Sequence, residues 1–124
     1  VIGVESFKPA VIEANRNAVI NGIVNAVFIC GRAEKVVEEK LNGVKAQIAV
    51  LDPPRTGCKA EFLDTLARIA PERIVYVSCN PATLARDVKI LTGAGYSFVE
   101  SSVVDMFPFT THVETVVLMS RVEK

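Results

Sequence analysis

Four side chains able to do chemistry stand directly after, or within, apolar runs of the sequence. They are Glu5, Asp52, Cys79 and Glu114. A thiolate is a nucleophile, and a carboxylate can remove a proton or accept hydrogen bonds from sugar hydroxyls. The set therefore indicates covalent catalysis coupled to proton transfer, beside a ligand that carries hydroxyl groups.

Cys79 follows the apolar run 75–78 and precedes Asn80 and Pro81. It is therefore expected in a strand-to-helix turn, where the N-terminus of the next helix favours the nucleophilic thiolate form. The alternative is a small buried apolar residue, which is the interpretation we give to Cys30. Cys58 lies in the loop after the Pro-Pro turn, where a side chain can be exposed.

Glu114 is flanked by Val113 and by the apolar run 116–118. Burial of an acid is costly unless it has a partner or a task, so Glu114 is a candidate general base. The alternative, which position alone favours, is an acid on an edge strand facing solvent. His112 is the only histidine, so any Cys-His pair must use it. We favour a hydrogen-bonded structural role for it in a turn.

Glu5 and Asp52 each follow a predicted strand. An acid at such a position commonly accepts hydrogen bonds from the ribose of a nucleotide-like cofactor. For Glu5 the alternative is an interaction with the positive end of the next helix. Asp52 opens a rigid Asp-Pro-Pro turn that can place a target base, although prolines here can also simply end the strand.

The elements that position these residues follow from apolar periodicity and from the prolines and glycines. Strands are predicted at 1–4, 27–30, 46–51, 74–77, 96–104 and 113–119, with 46–51 as a buried parallel strand. Helices are predicted at 9–21, 34–41, 61–70 and 82–91. This alternation predicts an α/β, Rossmann-like sheet with helices on both faces and an antiparallel strand near the C-terminus. Ligands bind such sheets beyond the carboxyl ends of the strands.

Composition limits the class of protein. Fourteen basic and fourteen acidic residues balance, which argues against a dedicated nucleic-acid-binding module, although a catalytic domain can grip RNA elsewhere. No apolar run approaches the roughly 18 residues of a membrane span, and no signal peptide is visible. Three cysteines indicate a reducing, cytoplasmic setting, with no disulfide framework and no metal site.

Three long motifs identify a family resemblance. They are LDPPRTG at 51–57, IVYVSCNPATLARD at 74–87 and DMFPFTTHVE at 105–114. In content, order and spacing they closely resemble the RNA uracil-5-methyltransferase family, whose members modify tRNA or ribosomal RNA. Shorter matches at 3–5, 17–18, 21–22 and 31–34 extend the resemblance over essentially the whole chain.

The resemblance implies a class I methyltransferase fold, an RNA substrate and S-adenosylmethionine as cofactor. Cys79 corresponds to the nucleophile and Glu114 to the base that removes the C5 proton. Glu5 corresponds to the ligand of the cofactor ribose, and Asp52 to a second cofactor-site residue. Arg32 falls beside the cofactor adenine, at a position where the family accepts several residue types.

The family pattern also includes upstream parts that this sequence does not contain. They are a glycine-containing loop after the first core strand, RNA-binding elements and, in many members, cysteines that hold an iron–sulfur cluster. We therefore expect residues 1–124 to be a partial methyltransferase domain that lacks its N-terminal part. Without that central strand, two strands have unpaired edges. We expect weak cofactor binding and self-association through those edges.

Three other functions remain open from the sequence. A cytosine-5 RNA methyltransferase uses related chemistry, but it typically has a Pro-Cys turn where this chain has Pro53-Pro54. An N-methyltransferase can use an Asp-Pro-Pro turn with no nucleophile, so Cys79 would be dispensable. A non-catalytic Rossmann-like module would need neither Cys79 nor Glu114.

Overall fold

The structure is a computed structural model that describes residues 1–41 and 43–122. These residues form six strands and four helices in the predicted order. The strands are β1 (Ile2–Glu5), β2 (Val27–Cys30), β3 (Ile48–Leu51), β4 (Arg73–Ser78), β5 (Tyr96–Val104) and β6 (Glu114–Arg121). The helices are α1 (Lys8–Ile20), α2 (Ala33–Lys40), α3 (Ala60–Ile69) and α4 (Pro81–Gly93). No helix of the described residues is long and apolar enough to cross a membrane.

The chain forms two compact units, Val1–Asn42 and Gly43–Lys124. In the first unit β1 and β2 pair in parallel, from Ile2 opposite Val27 to Glu5 opposite Cys30. Helix α1 has a proline in its first turn, packs on both strands and buries Val11 and Ala18. The parallel pairing places Glu5 and Cys30 at the same end of the two strands. Cys30, the last residue of β2, is exposed, so its interpretation as a small buried residue is wrong.

The second unit contains a sheet in the order β3-β4-β6-β5. β3 and β4 are parallel, while β6 is antiparallel to both of its neighbours. This confirms the predicted antiparallel strand near the C-terminus. Helices α3 and α4 pack against each other, and the core contains the fully buried side chains of Leu63, Ile74, Leu91 and Met119.

Strand β3 differs from its prediction as a buried strand. Ile48 and Val50 are 56% and 69% exposed, whereas Leu51 is buried. The reason is that β3 has a strand neighbour on one side, β4, so one edge and part of one face stay accessible. Among the described residues β1 likewise pairs with β2 alone. Both strands therefore present an edge of unpaired backbone groups.

Helix α4 runs two residues past its predicted end at Leu91. Gly93 lies within the helix, and the backbone N–H of Ala94 still bonds to the Ile90 carbonyl. Gly95, with φ of 97°, makes the turn into β5.

Candidate active site

Asp52, Cys79 and Glu114 lie at one end of the sheet in the second unit. Asp52 directly follows β3, and Cys79 directly follows β4. Glu114 is the first residue of β6, which runs antiparallel, so it too lies at the carboxyl end of β4. Ser78 pairs with Thr115, and continuing that register sets Cys79 opposite Glu114. The structure thus brings together these three predicted residues.

Cys79 is half-buried in a tight turn that leads into α4. The Ser78 hydroxyl donates to the Asn80 carbonyl oxygen at 3.0 Å and accepts from the Asn80 N–H at 3.1 Å. The Asn80 side chain then caps the helix, because its Oδ1 accepts from the Ala82 N–H at 3.0 Å. The thiol is therefore held just before the positive end of a 13-residue helix.

Glu114 is half-buried, and its strand has neighbours on both sides. Its backbone pairs with Val104 of β5, and the next residue, Thr115, pairs with Ser78 of β4. The alternative of an acid on an edge strand is therefore wrong, because β6 lies inside the sheet. Asp52 is exposed where the chain leaves β3 for the Pro-Pro turn.

The loop that follows this turn is fastened to α4 through its backbone. The carbonyl oxygen of Arg55 accepts from Asn80 Nδ2 and from the Thr83 hydroxyl, each at 3.1 Å. Arg86 Nη2 donates to the carbonyl oxygens of Thr56, at 3.0 Å, and Cys58, at 3.1 Å. Three residues of the loop, Arg55, Thr56 and Cys58, are thus bonded to the helix that starts beside Cys79.

Asp87 is the buried centre of this arrangement. Its side chain is fully buried, and Oδ2 accepts from the Cys58 N–H at 2.7 Å and from the Tyr76 hydroxyl at 2.5 Å. Its Oδ1 accepts from Arg86 Nε at 2.8 Å. Burial, together with the bond to Asp87, raises the pKa of Tyr76 far above its ordinary value, so this hydroxyl remains a donor.

The sequence contains a signal for Asp87 that we did not use. The buried residues of α4 are Leu84, Asp87 and Leu91, at the spacing of one helical face. An acid within the apolar stripe of a helix requires partners. That rule points to Asp87, although it does not identify Tyr76 or the loop as the partners.

His112 and Arg55 connect two of the three motifs at the surface. Arg55 Nη2 lies 2.6 Å from His112 Nδ1 and 3.2 Å from Nε2. Because a guanidinium carries only donors, the ring nitrogen acts as acceptor. The favoured interpretation of His112 as a hydrogen-bonded residue in a turn is confirmed.

In the first unit Glu5 and Arg32 lie near the same ends of β1 and β2. Glu5 Oε1 accepts from the Phe7 N–H at 2.6 Å and from the Ser6 hydroxyl at 3.2 Å. These bonds, that of Phe7 first, lower the pKa of Glu5 below its usual range. The contact with Phe7, which caps α1, also supports the alternative role at a helix terminus.

Arg32 occupies the N-cap position of α2, makes no side-chain capping bond there, and forms an ion pair with Glu34 at 3.3 Å. Its neighbour Gly31 donates its N–H to the Glu5 carbonyl oxygen at 2.9 Å, which keeps the two candidate residues close along the backbone. Glu5 also borders a cavity of about 280 Å³. Its lining residues are Gly3, Val4, Glu5, Ala10, Val11, Ala14 and Phe28. It is slightly smaller than common ligand pockets, which start near 300 Å³.

A larger cavity of about 760 Å³ lies elsewhere, around Glu72, Arg73 and Arg121. These residues are at the amino end of β4, opposite the end that carries Cys79. None of the predicted site residues lines it, so we place the candidate site at the carboxyl end. Within the described residues no group of three or more His, Cys, Asp or Glu could hold a metal ion.

Comparisons with a family profile, with protein sequences and with solved structures agree. Residues 1–122 match the family profile of tRNA (uracil-5-)-methyltransferase. An uncharacterized RNA methyltransferase of Bacillus cereus is 54% identical over 125 residues, which cover all of this chain. The crystal structure of Pyrococcus abyssi tRNA (uracil-54, C5)-methyltransferase in complex with S-adenosyl-L-homocysteine is 41% identical, with a TM-score of 0.82 over 96% of this chain.

The matches cover nearly all of this chain but only part of the relatives. The chain spans 27% of the length of the Bacillus relative and 28% of the Pyrococcus abyssi structure. NSun6 from Pyrococcus horikoshii, at 15% identity, has a TM-score of 0.76 over 99% of this chain and 41% of its own. This likeness supports the predicted Rossmann-like methyltransferase fold alone. Because the family profile matches nearly every residue, the chain belongs to the tRNA (uracil-5-)-methyltransferase family.

Proposed function

We propose that this chain is the catalytic part of an S-adenosylmethionine-dependent enzyme that methylates C5 of a uridine in tRNA or ribosomal RNA. The observation that carries the proposal is the meeting of Cys79 and Glu114 at the ends of adjacent strands. A thiol and a carboxylate side by side supply the two functions that C5 methylation needs. An N-methyltransferase has no use for this pair.

In the first unit, Glu5 and Arg32 each fit a part of the cofactor. The exposed Glu5 carboxylate, which accepts hydrogen bonds, suits the hydroxyl donors of a ribose. Arg32 has a half-exposed planar guanidinium that can stack on an adenine ring. Asp52 is our candidate for a second polar contact with the cofactor. When bound, S-adenosylmethionine supplies an electrophilic methyl group.

Cys79 begins the reaction as a nucleophile. Its thiolate forms a bond to C6 of the uracil ring, and the electron pair of the C5–C6 double bond moves onto the C4 carbonyl as an enolate. This addition makes C5 electron-rich, so that it can take the methyl group. The half-buried position of Cys79 in the turn between β4 and α4, opposite Glu114, supports the proposal.

Glu114 completes the reaction as a general base. After methyl transfer C5 carries both the new methyl group and its original proton. The carboxylate removes that proton, the C5–C6 double bond re-forms, and the C6–S bond breaks to release the Cys79 thiolate. The half-buried position of Glu114 beside the end of β4 supports this role.

The RNA must present its target base to this end of the sheet. C6 is reached only when the base leaves its stack, as for other enzymes that act on bases. The rigid Pro53-Pro54 turn, next to the end of β4, is our candidate for the surface that holds the base. Because the basic and acidic residues of the chain balance, we assign most of the RNA affinity to other parts of the protein. We also propose a cytoplasmic setting, in which all three cysteines stay reduced.

The proposal is tested with the full-length protein and RNA that carries tritium at uridine C5. Wild type should transfer the methyl group and release tritium to water. The Glu114→Gln variant should transfer the methyl group, fail to release tritium and accumulate a protein–RNA adduct. Cys79→Ala should do neither, while the control Cys30→Ala, altered at an exposed cysteine, should behave as wild type. Methylation by Cys79→Ala at the wild-type rate would contradict the proposal.

A further inference from the structure

We infer that Asp87 is a positioning residue: with Tyr76, Asn80, Thr83 and Arg86 it fixes the Pro53-Pro54 turn relative to the Cys79 thiol. We call these five residues the α4 clamp. The inference rests on the proposed function, because it assigns the turn to the target base and Cys79 to the attack on C6. It adds a set of residues that act through the position of the turn.

The turn is held at both of its ends. On one side it continues β3, whose last residue, Leu51, pairs with Tyr76 of β4. On the other side residues 55–58 bond to α4 through Asn80, Thr83, Arg86 and Asp87. Cys79 lies between β4 and α4, so both anchors of the turn belong to the segment that carries the nucleophile. Any movement of the clamp therefore changes the distance from the turn to the thiol.

Asp87 restricts the loop at residues 55–58 to one position relative to α4. A fully buried carboxylate is tolerated only with hydrogen-bond donors on its oxygens, and Asp87 has them from Tyr76, Cys58 and Arg86. Loss of one donor leaves a buried charge partly unsatisfied. The network consequently favours one position of the loop over shifted alternatives.

Gly57 gives independent evidence that the loop and the clamp fit closely. Its φ is 74°, and a Cβ built there would lie 2.6 Å from Asp87 Oδ2 and 2.7 Å from Arg86 Nη2. A Cβ essentially never lies so close to another heavy atom, so glycine is the residue that fits at this position without a shift of its neighbours. The loop therefore approaches the carboxylate as closely as a backbone can.

Two buried tyrosines provide a matched test in the full-length protein. Tyr76→Phe removes the hydroxyl that bonds to Asp87, and Tyr96→Phe removes one that bonds to the Pro71 carbonyl oxygen at 2.8 Å. Both hydroxyls are buried, but Tyr96 and Pro71 lie at the end of the sheet away from Cys79. The assay measures the rate constant and amplitude of covalent adduct formation with 5-fluorouridine RNA and S-adenosylmethionine, alongside RNA affinity.

A displacement of about 1 Å in a reacting geometry can slow a reaction by up to about 100-fold. We expect Tyr76→Phe to lower the rate constant at least tenfold with RNA affinity unchanged, and Tyr96→Phe to stay within twofold of wild type. Partial unfolding would lower the amplitude instead of the rate constant. Thr83→Val, which removes the hydroxyl that reaches the Arg55 carbonyl, should also slow the reaction and serves if Tyr76→Phe fails to fold.

The outcomes distinguish a failure of the positioning role of Asp87 from a failure of the proposed function. Equal rate constants for Tyr76→Phe, Thr83→Val and Tyr96→Phe would overturn the inference while leaving the proposed function intact. A methyl-transferring wild type that forms no adduct at all would overturn the proposed function, and the inference with it.

Discussion

Replacement of Gly57 by alanine should loosen the loop far more than the same change at Gly43. The two glycines have similar backbone angles, with φ of 74° and 84°. At both, a side chain in the left-handed region costs about 1–2 kcal/mol. Only at Gly57 does the new Cβ meet other atoms, since nothing lies within 4 Å of a Cβ built at Gly43.

The additional cost at Gly57 follows from the bonds that must break. A Cβ 2.6 Å from Asp87 Oδ2 displaces the Cys58 N–H bond to that oxygen. A hydrogen bond to a charged group contributes about 1.5–3 kcal/mol. The ion pair to Arg86 adds less, because the arginine side chain is 51% exposed and screened by solvent. We therefore expect Gly57→Ala to exceed Gly43→Ala by about 2 kcal/mol, a factor of roughly 30 in local opening.

Native-state hydrogen exchange of the full-length protein measures this opening directly. Peptides that contain the Cys58 amide should exchange roughly 30-fold faster in Gly57→Ala than in Gly43→Ala. Peptides from the opposite end of the sheet, around Tyr96, should exchange equally in both variants. Equal exchange at Cys58 would refute the close fit between the loop and Asp87.

Two further predictions concern the cofactor and the strand edges. Glu5→Gln should weaken S-adenosylmethionine binding to the full-length protein in calorimetry. Because its hydrogen bonds lower the pKa of Glu5, the carboxylate loses its charge only below the ordinary range of glutamate, so wild-type affinity should not fall between pH 7.5 and 5.5 on account of this residue. A fall in that interval that Glu5→Gln abolishes would contradict this. Residues 1–124 alone should bind the cofactor weakly and associate with rising concentration in sedimentation, because β1 and β3 have open edges. Val50→Lys on β3 should reduce that association and Val24→Lys, in an exposed loop, should not; tight binding by a monomer would contradict the expectation.

The sequence predicted the order of the elements because the signals that define them are local. Pro9 and Pro81 lie in the first turns of α1 and α4, and apolar runs mark the strands within one or two residues. The meeting of Asp52 with Cys79 followed from one rule, that parallel strands end at the same side of a sheet. Glu114 lies at the same end of the sheet because β6 runs antiparallel to β5 and to β4, so that β6 starts where those strands end.

What the sequence did not predict depends on contacts between distant residues. The exposure of Ile48 and Val50 reflects how many neighbours β3 has, which no local pattern records. The clamp joins residues up to 30 positions apart, such as Arg86 and the Thr56 carbonyl. Its backbone acceptors have no signature in the sequence. Asp87 alone left a trace, as a charge in an apolar helical stripe.

The most direct test of the account identifies the protein atom that attacks the base. Full-length protein is incubated with S-adenosylmethionine and RNA that carries 5-fluorouridine, whose fluorine cannot leave as a proton. We expect a denaturation-resistant adduct, with the nucleotide mass on the peptide that contains Cys79, absent in Cys79→Ala and retained in Cys30→Ala. An enzyme that methylates unmodified RNA but forms no adduct, or forms it on another residue, would contradict the covalent role of Cys79.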